Sequence, residues 1–72
     1  MKGGAMRRWY SLHNLENDTL IGVYLSETER DNVESFTRAN TFTSYIECDN
    51  VIEAIRLANL VFFTANEGRE EL

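Results

Sequence analysis

At 72 residues, with 43% hydrophobic and 26% charged side chains, the chain has the composition of one small globular domain rather than of a disordered segment. Seven basic residues stand against twelve acids, for a net charge of −5, and Lys2, Arg7 and Arg8 hold three of those bases within the first ten positions. The rest of the chain therefore sets four Arg against every acid, which argues against a general nucleic-acid binder and favours solubility or a basic partner.

A chain this short buries only about 60% of the surface it exposes when unfolded, so its core is small and self-association is one way to enlarge it. No apolar leader follows Lys2, and the longest apolar run, Leu60 to Phe63, is far below the roughly 20 residues of a membrane span. A single cysteine, Cys48, suits a reducing compartment. The expectation is a soluble cytoplasmic protein. Asn17-Asp18-Thr19 matches a glycosylation acceptor but reads more simply as a turn.

Residues 1–5, with Gly3 and Gly4, read as a flexible lead, and residues 6–68 as a single domain. From Arg7 to His13 the aromatic-rich, alternating sequence predicts a strand. Asn14 to Asp18 supplies hairpin-loop chemistry, and Thr19 to Leu25 predicts a second strand with Ile21, Val23 and Leu25 on one side and Leu20, Gly22 and Tyr24 on the other. Ser26-Glu27-Thr28-Glu29 is a capping box that starts a helix to about Arg38 or Ala39, with Val33, Phe36 and Ala39 as its apolar stripe and Glu34–Arg38 as an i,i+4 pair.

Thr41 to Cys48 predicts a third strand, with Phe42, Ser44, Ile46 and Cys48 toward the core. Asn50 and Glu53 repeat the capping pattern before a second helix, whose Val51, Ala54, Ile55, Ala58, Val61 and Phe62 fall on one broad face. Ile52 and Phe63 stand on the shoulder of that face, and Leu57 and Leu60 fall outside it. Gly68 is placed as the residue that ends the helix, ahead of an acidic tail at 69–72.

The order β-β-α-β-α predicts an α+β domain: a small three-stranded antiparallel sheet with two helices packed on one face. In element order it resembles the hybrid-binding domain at the start of some ribonucleases H. With both helices on one side, the other sheet face displays Trp9, Leu20, Tyr24 and Tyr45 with Arg7 in line, an arrangement suited to stacking bases or to burial in an interface. Leu57 and Leu60 form a second candidate patch, against the first helix or another chain. Glu27, Glu29, Asp31 and Glu34 crowd the first helix, either as a solvated face or as a carboxylate surface for a phosphate-binding channel.

Catalysis has little to stand on in the sequence. His13 and Cys48 are the sole residues of their kinds and have no third orienting group, so the chain is read as non-catalytic, with no metal and no cofactor. In character it resembles the small acidic inhibitors and accessory proteins of phages and mobile elements, such as anti-CRISPR proteins. That resemblance implies a protein that binds and modulates another protein, one with a basic nucleic-acid-binding surface. A single-stranded nucleic-acid or nucleotide module and a homo-oligomeric subunit, such as a homodimer, are the two other readings.

Overall fold

The computed structural model describes residues 6–70, with side chains through Asn66; the lead at residues 1–5 and the last two residues of the tail lie outside the described residues. Three strands, β1 (Arg7–Asn14), β2 (Thr19–Tyr24) and β3 (Thr41–Cys48), and two helices, α1 (Glu27–Phe36) and α2 (Val51–Glu70), follow in the order β1-β2-α1-β3-α2. The strands form one antiparallel sheet in the order β2-β1-β3. This is the α+β domain expected from the sequence. Among the described residues no helix is long and apolar enough to cross a membrane.

Local chemistry explains most of the boundaries. The β1–β2 turn is closed by Asn14, whose Oδ1 accepts from the Glu16 N–H, and by Asp18 in the left-handed region at φ 59°, which Asp tolerates better than most residues. Ser26 caps α1 by accepting from the Glu29 N–H, and Asn50 Oδ1 does the same for the Glu53 N–H at the start of α2. The loop after β1 is also tied to the entry of β3: Leu15 N–H donates to Asn40 O, and Glu16 accepts from the Asn40 N–H.

Side-chain contacts put the helices on opposite faces of the sheet, which corrects the expected packing on one face. Trp9, Cys48 and Ala54 form a buried cluster with Val23, Ile46 and Leu57 packed on it, and His13 stacks on Phe62, so α2 covers the face that carries Trp9, Ser11 and His13. Successive strand residues point to opposite sides, so Tyr10 and Leu12 face the other way. There the guanidinium of Arg30 in α1 lies over the Tyr10 ring, 5.5 Å from its centroid, and Thr41 Oγ1 donates to Glu34. The physical reason is that β1, the central strand, is apolar on both sides: Trp9 is 8% exposed, and both Leu12 and His13 are fully buried.

The α2 face is built from small residues at its centre. Ala54, Ala58, Phe62 and Asn66, each four apart, form the buried line of the helix, and Ser11 and Ser44 hydrogen-bond to each other on the strands beneath. Small groups on both sides let the helix lie close to the sheet. The helix continues through Gly68 to Glu70, so Gly68 does not end it.

On the other face a charge anchors α1; of the expected apolar stripe Val33 is half-buried, and Ala39, also half-buried, lies beyond the helix. Arg30 is 7% exposed; it donates to Ser44 O, pairs with Asp31 at 2.9 Å and Glu27 at 3.5 Å, and lies on Tyr10. Phe36, expected inside, is 83% exposed. The helix ends at Phe36, two or three residues before the predicted end, because Thr37 turns extended while its N–H donates to Glu34 O and its hydroxyl to Val33 O. Arg38 therefore lies beyond the helix, and Glu34 bonds Thr41 in place of the predicted i,i+4 pair.

Because Arg30 supplies packing as well as hydrogen bonds, Arg30→Ala should lower stability by about 2–3 kcal/mol. Arg30→Lys should recover little of it, since an ammonium cannot both stack on a ring and bond in several fixed directions. Urea unfolding followed by circular dichroism measures both; an unchanged midpoint for Arg30→Ala would mean that α1 is held elsewhere.

Candidate interaction surface

The expected aromatic platform of Trp9, Leu20, Tyr24 and Tyr45 is not assembled. Trp9 lies under α2, where its Nε1 donates to Cys48 O at 3.3 Å. It pairs with Ile46, whereas Tyr10 pairs with both Tyr24 and Tyr45. Leu20 and Tyr24 are separated by a bulge: Leu12 opposes Gly22 and His13 opposes Leu20, so Ile21 is an extra residue and Leu20 swings to the side of His13. A bulge shifts side-chain parity without leaving a mark in hydrophobic alternation, and for that reason the sequence did not reveal it.

What the structure assembles instead is a row of tyrosines across the α1 face, Tyr24, Tyr10 and Tyr45, one from each strand. Tyr10 was missed because its neighbour Trp9 is the more conspicuous aromatic. Gly22 makes room for this row: a Cβ there would come within 2.5 Å of the Tyr24 hydroxyl oxygen and 2.8 Å of its ring. Tyr45 is 56% exposed, and the Arg8 guanidinium lies 4.3 Å from its ring centroid while pairing with Glu47 at 3.2 Å. The Glu47 hydrogen bond favours the charged form of Arg8 and raises its pKa. Short α1 thus covers one end of this face and leaves the end with Arg8, Tyr45 and Glu47 open.

Leu57 and Leu60 separate. Leu57 packs on the Trp9 cluster and serves the core, whereas Leu60 is 60% exposed. It shares the outer surface of α2 with Ile52 at 77% and Phe63 at 54% exposure. The four acids of α1 are partly engaged within the domain: Glu27 and Asp31 hold Arg30, and Glu34 accepts from Thr41, while Glu29 is exposed in the first turn. Glu29 and Phe36, seven apart, lie on one line along the outer side of the helix.

His13 and Cys48, the pair considered for nucleophilic chemistry, sit at opposite ends of the sheet. Cys48 pairs with Arg7 on β1, six positions or about 20 Å of strand from His13. The Cys48 thiol is buried and donates to Asn50 O. His13 is wholly enclosed: its ring stacks on Phe62 at 4.1 Å, meets Phe42 edge-on, and shares a 2.9 Å hydrogen bond between Nε2 and Asn59 Oδ1. Nδ1 is buried with no hydrogen-bond partner.

Burial lowers the His13 pKa below 6.5, outweighing the Asn59 hydrogen bond, which raises it. Between 6.5 and the lower folded value the unfolded chain binds a proton that the folded chain does not, so stability is full above that window and falls with pH through it. His13 is the one histidine of the chain, so stability measured by denaturant from pH 7 to pH 5 should decline. The decline should vanish in His13→Phe, and an equal slope in both proteins would refute the assignment. Comparison with protein-family models, with curated proteins and with solved structures finds no match to this chain.

Proposed function

We propose that this chain is a small, acidic, non-catalytic interaction domain that binds another protein and modulates or inhibits it. The observation that carries the reading is Phe36, 83% exposed at the end of a helix whose outer side is otherwise polar and acidic. A phenylalanine this open is available for burial by a partner, and Glu29, on the same outer line of the helix, favours a basic counterpart. A protein with a phosphate-binding surface, as nucleic-acid-handling proteins have, is such a counterpart. The binding would be steered by charge and anchored by the ring. Action in the manner of phage or mobile-element inhibitors, in the cytoplasm, fits this size and charge.

Affinity capture on the immobilised protein, from a lysate of its native host, tests the reading. A specific partner should be retained at low salt, released at raised salt, and lost with Glu29→Lys or Phe36→Ala, each weakening binding about tenfold or more. Retention that ignores both substitutions and salt would sink it.

The row Tyr24, Tyr10 and Tyr45 favours a second reading, a single-stranded nucleic-acid module in which bases stack on Tyr45 beside Arg8. Anisotropy of a labelled oligonucleotide at low salt decides it. Binding that Tyr45→Ala abolishes supports the module, and no binding at high micromolar protein removes it.

A further inference from the structure

We infer that the outer face of α2 is the contact surface for a second copy of this chain, in an antiparallel, two-fold pairing of α2 with α2. This goes beyond the acidic α1 surface and uses a different side of the molecule. Three observations carry it: the amount of apolar surface left open, its spacing, and its charge.

The first is area. Ile52 is 77% exposed, Leu60 60%, Phe63 54% and Ile55 41%, all on a helix whose opposite line is fully packed. At about 150–250 Å² for a large side chain, these four offer on the order of 450 Å² per copy. Fully covered in two copies, these four would bury roughly 900 Å², and the stem of Arg56 between Ile52 and Leu60 brings the total close to the ~1,000 Å² of a minimal specific interface. Among the described residues the domain's own core holds six buried hydrophobic side chains, and pairing would enlarge it by a comparable number.

Spacing is the second. An interface about a two-fold axis must be self-complementary, each residue i meeting j on the partner while j meets i. In an antiparallel helix pair this requires side chains placed symmetrically about one point. Ile52 and Ile55 are three apart, as are Leu60 and Phe63, and both pairs are equidistant from a point between Leu57 and Ala58. Crossing there sets Ile52 level with Phe63 of the second copy, Ile55 level with Leu60, and Arg56 level with Asn59. Each branched aliphatic group thus meets another apolar group.

Charge is the third. Two molecules of net charge −5 repel, so copies must meet on a neutral surface. From Val51 to Asn66 the charged residues of α2 are Glu53 and Arg56, bridged to each other at 2.7 Å. The acids of α1 lie across the sheet, outermost in such a pair and distant from its axis. Along Val51–Asn66 a basic partner would find no net charge to meet, whereas the same neutral apolar stretch of a second copy fits it.

Sedimentation equilibrium across the micromolar range tests this pairing. The protein should form a dimer, and Ile52→Glu, Leu60→Glu and Phe63→Glu should each weaken it about a hundredfold or more, since every substitution enters the interface twice. Phe36→Glu on α1 should leave the dimer intact. All four side chains are exposed, and circular dichroism checks that the variants stay folded. Orientation is read by oxidation in a Cys48→Ser background: Ile55→Cys/Leu60→Cys should form an intermolecular disulfide efficiently, and Ile55→Cys or Leu60→Cys alone should not, because only unlike positions are level in the antiparallel pair. A monomer at high micromolar concentration overturns the inference. So does a dimer that survives the three α2 substitutions or dissociates with Phe36→Glu.

Discussion

The structure depends on burying β1 from all sides. Its edges are paired to β2 and β3, Trp9, Ser11 and His13 are enclosed beneath α2, and Leu12 is enclosed on the α1 face. A central strand that is apolar on both sides needs a cover on each, and each helix supplies one. The chain path follows from the same demand: α1 crosses from β2 to β3 over one face, and α2 returns along β3 over the other. Among the described residues β1 contributes Trp9 and Leu12 to the buried apolar core, β3 contributes Cys48, and α2 contributes Ala54, Ala58 and Phe62.

The two covers are unequal. α2 is long and close-packed, with alanines on its buried line, and has more apolar side chains than the sheet can take up. α1 is ten residues, held by a buried guanidinium and its carboxylates, and it leaves Phe36 and the Arg8–Tyr45 corner open. Burial of Arg30 costs desolvation that the ring of Tyr10, the Ser44 carbonyl and two acids offset together. Two surfaces result, one neutral and apolar, the other acidic with a single aromatic anchor. The two surfaces lie on opposite sides of the sheet, so the proposed pairing through α2 would leave the α1 surface uncovered.

Part of the acidic composition has an internal use, which the net charge alone conceals. Glu27 and Asp31 steady Arg30, Glu34 ties α1 to β3 through Thr41, and Glu16 ties the first turn to Asn40. Glu27 and Asp31 still expose about half or more of their side chains, so the same carboxylates hold the helix and set the negative field at its surface.

By itself the sequence determined whatever is decided within a few residues. Ser26 and Asn50 mark the helix starts because a cap is a bond to the third residue on. Asn14 and Asp18 mark the hairpin turn, and β3 shows its inward Phe42, Ser44, Ile46 and Cys48 because that strand is covered on one side more than the other. Only the tertiary structure decided what depends on distant neighbours. The face taken by Trp9 could not be read because β1 is apolar on both sides, and the bulge at Ile21 reverses Leu20 relative to Tyr24 through pairing with β1. Arg30 carries no local sign of burial, since its ring, carbonyl and acids converge from β1, β3 and α1 only once the chain has folded. Leu57 is inside and Leu60 outside for a similar reason: the sheet sets the rotation of α2, through Trp9 at one end and His13 at the other.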